Sequence, residues 1–161
     1  MVWCLDLFGV VQTDRDRTRP ACHVQRMAFA LHPRLAAGGI EIGRLGTCRL
    51  LLKNNALFPW FLLVPEVEAI EDLHQLPPGQ FLEVMAAIRQ VSEFVSHYFL
   101  PEKLNVACIG NQVRQMHIHV VGRSMDDLAW PGTVWACEST KVYSEELAEK
   151  IRAAAREFLD L

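Results

Sequence analysis

Three absences narrow the chain before any motif is read. Positive charge is not in excess: 16 Lys and Arg stand against 19 Asp and Glu, a net charge of -3 over 161 residues. A nucleic-acid groove or a face for an acidic membrane draws on a surplus of cations, and this composition has none. A small phosphate-bearing ligand, which needs only a few donors, stays open. No apolar run approaches the ~20 residues that cross a bilayer. The apolar start, residues 1–11, carries Asp6 and lacks the basic residues of a signal peptide. Cysteine has no pattern either. The five Cys, at 4, 22, 48, 108 and 137, are odd in number and scattered, without CxxC or Cys/His zinc spacing. That excludes a disulfide framework and a structural zinc site as first readings. We read them as reduced, mostly buried thiols of a cytoplasmic protein, with Cys108 carrying a second reading as a reactive thiol.

What is present is enough apolar residue, 51%, for the core of one ordinary domain. Residues 12–19 hold no apolar side chain and have linker composition. From Met27 the pattern turns globular. We expect an N-terminal appendage over 1–26 and a single domain over 27–161; alternatively, 2–11 adds an edge strand or a surface helix to that domain. Apolar runs at 48–53 and 60–64 flank Asn54-Asn55-Ala56-Leu57-Phe58-Pro59, which predicts two strands joined by a turn. Phe81, Val84, Met85, Ile88, Val91, Val95 and Phe99 recur at helical spacing, with Pro77 and Pro78 at the start and Pro101 past the end. This stripe is read as core, and its far edge, Phe94 and Tyr98, as a candidate face for another subunit. Strands are expected at 104–109 and 115–121. A last helix starts after Ser144, an N-cap followed by Glu145 and Glu146, and runs to about Leu159. Strands, helix, strands, helix is the order of an α+β fold with an antiparallel sheet.

The run Gln115-Met116-His117-Ile118-His119-Val120-Val121 alternates polar and apolar strictly. In a strand that pattern turns Gln115, His117 and His119 to one face, neighbours ~6.6 Å apart. Neutral imidazole has a reference pKa near ~6.5 and is a nucleophile at cellular pH. A nucleophilic His117 needs one ring nitrogen held by an acceptor, and donors for the charge that develops on the attacked group. His119 and Gln115 flank it, and Gly110-Asn111-Gln112-Val113-Arg114 adds two amides, backbone N–H groups and a cation. Such surroundings suit attack on a phosphoryl group better than on a carbonyl. Two rivals stand on the residues alone. Both His are satisfied structural side chains, or His-x-His holds a metal, with a third ligand from His23, His32, His74, His97, a Cys or an acid.

The run resembles the motif of the histidine triad (HIT) family of nucleotide-binding hydrolases and transferases, His-φ-His-φ-His-φ-φ with φ apolar. Six of seven positions agree, and Gln115 replaces the first His. Leu50-Leu51-Leu52-Lys53-Asn54-Asn55 and Phe58-Pro59-Trp60-Phe61-Leu62-Leu63-Val64-Pro65 are similar to the family's nucleoside-pocket strands. The long helix, Lys103-Leu104-Asn105-Val106-Ala107 and the Gly110 loop follow in family order. Ala129-Trp130-Pro131-Gly132-Thr133-Val134-Trp135 is similar to a segment of bacterial members that also carry Gln at the first triad position. About residues 28–136 are covered.

The resemblance implies a HIT-like α+β fold: an antiparallel sheet with one long central helix and a C-terminal helix. It implies a two-fold homodimer and a small nucleotide substrate, a dinucleoside polyphosphate or nucleotide conjugate, with neither nucleic acid nor membrane as partner. His117 would attack the α-phosphate to give a nucleotidyl-histidine, and His119 would hydrogen-bond the phosphoryl oxygens. Gln115 would orient its neighbours without carrying a proton. Asn105, Asn111 and Gln112 would stand near the phosphates, Asn54 and Asn55 on the polar side of the ribose, and Leu52 and Trp60 at the nucleoside pocket. No metal or other cofactor is required, although Mg²⁺ could accompany the substrate. Gln112 also stands where the family often has a Ser or Thr hydroxyl able to protonate the leaving group. On this reading Gln115→His is expected to keep or raise activity. A nucleotide-binding or sensing module without turnover is the alternative.

Overall fold

The computed structural model describes residues 29–161; the expected appendage over 1–26, and either role for 2–11, lies outside them. A short helix, α1 (Pro33–Gly38), leads into β1 (Gly39–Leu45) and β2 (Cys48–Lys53). Their hairpin closes from Leu45 to Cys48, with Gly46 at φ +58°, a left-handed conformation that glycine adopts without a Cβ clash. Next come β3 (Trp60–Pro65), the long helix α2 (Pro78–Phe99), β4 (Lys103–Cys108), β5 (Ile118–Arg123) and α3 (Glu145–Leu159). The strands form one sheet in the order β1-β2-β3-β5-β4, every neighbouring pair antiparallel. This is the expected α+β architecture with one long and one C-terminal helix.

Both helices cover one face of the sheet. Val84, Ala87, Val91 and Val95 of α2, with Ile151, Ala155 and Leu159 of α3, pack with Leu50, Leu52, Phe61, Leu63, Ile118 and Val120. Alternation along each strand sends Leu51, Trp60, Leu62, Val64 and Val121 to the opposite face, where they join Leu35 and Val113 in a second cluster. The caps are those the sequence signals. Pro78 opens α2, Leu100 ends it in the left-handed region, and the Ser144 side chain accepts from the Leu147 N–H at the start of α3.

Four expectations need correction. No strand was expected over β1, whose glycines and charges break the apolar run (Gly-Ile-Glu-Ile-Gly-Arg-Leu). The strand expected at 115–121 begins only at Ile118 and continues to Arg123. Ladder partners decide this: pairing ends at Cys108–Ile118 on one side and Leu63–Ile118 on the other, and the Met116 N–H instead donates to the carbonyl of Ile70. Phe94, expected to face another subunit, is 1% exposed and packs within the chain against Phe61, Phe99 and Phe158. Of the thiols read as mostly buried, Cys48 is buried, Cys137 half-buried and Cys108 exposed. Partial burial of the Cys108 sulfur and the Asp72 carboxylate push its pKa up, the opposite of what a reactive thiolate needs. Among the described residues no helix is long and apolar enough to cross a membrane.

Candidate functional site

On the face away from the helices, His119 of β5 stands opposite Leu62 of β3 and Ala107 of β4. His117 lies just before β5, its ring 4.8 Å from that of His119. Both rings reach a cavity of ≈ 380 Å³ between the sheet, α1 and the loop after β4. Trp60, Leu62, Val113 and Trp135 supply its apolar wall, and Asn111, Gln112, Arg34 and Lys53 its polar one. It contains two cations and no carboxylate, so its lining favours an anion.

The two rings are held in opposite senses. His117 donates from Nδ1 to the main-chain carbonyl of Gln115 at 2.8 Å, since a carbonyl can only accept. The neutral ring therefore keeps its lone pair on Nε2. His119 is the reverse. The indole of Trp60 donates to His119 Nδ1 at 2.9 Å; an indole N–H can only donate, so the neutral ring carries its proton on Nε2. One imidazole thus offers a nucleophilic nitrogen and its neighbour an N–H donor. Burial pulls both pKa values down. For His117 the carbonyl bond partly opposes burial, while Lys53 and His32 add to the downward shift. For His119 burial, then His117 and Lys53, lower it to about 3. Both rings are neutral at pH 7, the form in which a histidine can attack.

Aromatic rings fix this geometry from the side. Trp135 meets His119 edge-on at 5.3 Å and Trp60 at 5.8 Å. Its own indole nitrogen is buried with no hydrogen-bond partner among the described residues. Arg123, which is 2% exposed, holds the start of the segment that leads from β5 to Trp135. The Arg123 guanidinium grips both carboxylate oxygens of Asp127 at 2.7 and 2.9 Å and donates to Asn105 Oδ1 at 2.8 Å. This pairing holds the Asp127 carboxyl below its usual pKa.

The HIT domain family model matches residues 40–126, more than half of the chain. The chain belongs to the HIT domain family. Three solved bacterial HIT proteins have its fold at 32–36% identity. The histidine triad protein of Marinobacter aquaeolei is 36% identical, with 83% of this chain and 98% of that one covered and a TM-score of 0.80. The Sinorhizobium meliloti protein is 34% identical over 80% and 96%, at 0.78. The Bradyrhizobium japonicum protein is 32% identical over 83% and 99%, at 0.80. No curated protein matches. HIT proteins are in general nucleotide-binding hydrolases or transferases.

Within this HIT domain the residues singled out from sequence divide. His117, His119, Trp60, Asn111 and Gln112 line the one cavity. Leu52 does not: it is fully buried on the helix face of the sheet, because its neighbour Leu51 takes the cavity side. Asn105 shares a face with His119 but its side-chain oxygen is taken by Arg123. Asn54 Oδ1 accepts from the Tyr143 N–H at 3.0 Å, and Asn55 Oδ1 from the N–H groups of Leu57 and Lys141, so both tie the β2–β3 turn to the segment before α3. The Gln115 carboxamide turns to the backbone of residues 30 and 32. Arg34, Lys53 and Trp135 were missed. Lys53 and Trp135 sit in the segments that carried the resemblance, whereas nothing local marks Arg34, which arrives from a part of the chain 83 residues before His117. Among the described residues no group of three or more His, Cys, Asp or Glu is placed to hold a metal ion.

Proposed function

We propose that this HIT protein is a hydrolase or nucleotidyl transferase that attacks the α-phosphate of a dinucleoside polyphosphate or nucleotide conjugate through His117. The observation that carries the reading is the Nδ1–H bond of His117 to the Gln115 carbonyl, which leaves the Nε2 lone pair free in a cation-lined cavity. In the first step Nε2 forms a bond to phosphorus, and the bond from phosphorus to the leaving group breaks. The leaving group takes the electron pair and is protonated from solvent. In the second, water attacks the phosphorus and releases a proton to solvent, the P–N bond breaks with its electron pair returning to Nε2, and the mononucleotide leaves with neutral His117 restored. Splitting one displacement into two lowers each barrier. The His119 Nε2–H, the Asn111 and Gln112 amides, Lys53 and Arg34 supply donors for charge on the phosphoryl oxygens. The scheme requires no metal; Mg²⁺ arriving on the substrate would add charge neutralisation. We further assign the chain to the bacterial HIT members with Gln at the first triad position, acting in the cytoplasm as a homodimer on a small nucleotide, without nucleic acid or membrane as partner.

One feature favours a second reading, a nucleotide-binding or sensing module: Gln115 carries no titratable proton, so no relay runs through the first triad position. Quenched-flow mixing with diadenosine tetraphosphate radiolabelled at an α-phosphorus separates the two. Catalysis requires an acid-labile, base-stable label on the protein that forms and decays at the turnover rate, and that His117→Ala abolishes. Nucleotide binding with no such adduct establishes the module; turnover by His117→Ala at the wild-type rate refutes the nucleophile.

A further inference from the structure

We propose that Gln115 is a positioning residue: its carboxamide clasps the chain entering the domain and so sets the near wall of the cavity and the place of Arg34. The side chain makes two bonds to one stretch of backbone. Nε2 donates to the Ala30 carbonyl at 2.9 Å, and Oε1 accepts the His32 N–H at 2.8 Å. A single amide thus satisfies an acceptor and a donor two residues apart, as the N–H and C=O of one residue in a parallel strand would.

Consequences run from the clasp in both directions. Upstream, Phe29 and Leu31 are pressed onto the cavity-side cluster that contains Leu35, Trp60 and Leu62. Downstream, His32 starts α1. Its carbonyl accepts from the Leu35 and Ala36 N–H groups, and its ring nitrogen Nδ1 accepts from the Arg34 N–H. Arg34 then reaches across the cavity and donates to Gln112 Oε1 at 3.1 Å. Meanwhile the main-chain carbonyl of Gln115 holds the His117 ring. One residue therefore ties the nucleophile, through its backbone, to the wall and cation on the other side, through its side chain.

A histidine at 115 would not substitute. Neutral imidazole also has one donor and one acceptor, but they diverge on opposite edges of a ring, whereas a carboxamide presents both from one end to one strand flank. The departure from the family motif is thus explained by a structural duty, and Gln115→His is expected to weaken the site, the reverse of the expectation from the motif alone.

Hydrogen exchange and ligand binding on the full chain test this. Gln115→His and Gln115→Glu (which keeps the acceptor for His32 but turns an oxygen on the Ala30 carbonyl) should each speed exchange of the His32, Leu35 and Ala36 amides about tenfold or more. That is the factor for losing one bond of about 1.4 kcal/mol. Amides of β2 and β3 should be unchanged. Affinity for adenosine monophosphate, measured by calorimetry, should fall several-fold in both variants. Adding Arg34→Ala to Gln115→His should cost less than Arg34→Ala costs in the wild type, because the two act in series. Unchanged exchange at His32 in both variants overturns the clasp. Faster exchange with undiminished affinity, or fully additive losses, overturns the setting of the wall and of Arg34. The affinity arm rests on the proposed nucleotide site and the exchange arm does not. A wild type that binds no nucleotide therefore counts against that function and leaves the clasp to be decided by exchange.

Discussion

Acidification reads the site directly, because the two imidazoles are buried as neutral rings. In the unfolded chain a histidine titrates near ~6.5, while His119 in the folded chain is held down to about 3. Between those values the unfolded state binds a proton at 119 that the folded state refuses. Stability rises with pH wherever the unfolded state binds more protons, so it falls as pH drops below ~6.5, at about 1.4 kcal/mol per pH unit for this residue, and the loss levels off near pH ~3. From pH 7 to 5 His119 alone removes about 2 kcal/mol, a large share of the roughly 5–15 kcal/mol that holds a domain together. His117, also lowered by burial, steepens the same window. Asp127, whose carboxyl Arg123 holds low, loses its contribution only at more acid pH. Urea unfolding followed by tryptophan fluorescence at pH 7, 6 and 5 measures the slope. His119→Asn, which keeps an acceptor where Nδ1 lies but does not titrate, should lose about 2 kcal/mol less than the wild type over that interval. Equal losses in the two proteins, or a wild type more stable at pH 5, would refute the assignment of buried neutral rings.

Trp60→Phe removes the donor to His119 Nδ1 and should cost about 1–3 kcal/mol; nitrogen-15 spectra should show His119 leaving its single Nε2–H tautomer, and an unchanged tautomer would mean that something else holds the ring. Asp127→Ala leaves the buried Arg123 guanidinium with Asn105 alone, for an expected loss of about 3–5 kcal/mol by denaturant unfolding, and a loss below about 1 kcal/mol would show that solvent reaches the guanidinium. Asn55→Ala strips the acceptor from the Leu57 and Lys141 N–H groups and should lower stability by about 1–3 kcal/mol, with a midpoint equal to that of the wild type counting against the tie between the β2–β3 turn and the segment before α3.

Local chemistry carries far along this chain. The period of α2, the prolines at its ends and the Ser144 cap are each decided within a few residues, so the positions of α2 and α3 could be read directly, whereas the short α1 was not expected. The strands at 48–53, 60–64 and 104–109 could be read for the same reason: their apolar runs are short and punctuated. The expected strand at 115–121 was misplaced because alternation says which face a side chain takes, not whether a partner strand is there to pair with it. Leu52 was misassigned by the same gap. Leu51 and Leu52 are alike in composition, and only the side on which the helices pack tells which of them lies on the cavity face of the sheet.

Taken alone, the order of residues determined the kind of fold, the two imidazoles spaced to share a side, and the absence of any carboxylate between Gly110 and Val121. Tertiary structure decided what those imidazoles are. The indole that sets one tautomer is 59 residues from its partner, the cation at the rim comes from α1, and the first triad position proved to be fastened to backbone 83 to 85 residues earlier. Periodicity is local, whereas protonation, tautomer and charge at a buried site depend on whichever distant groups the fold packs against it.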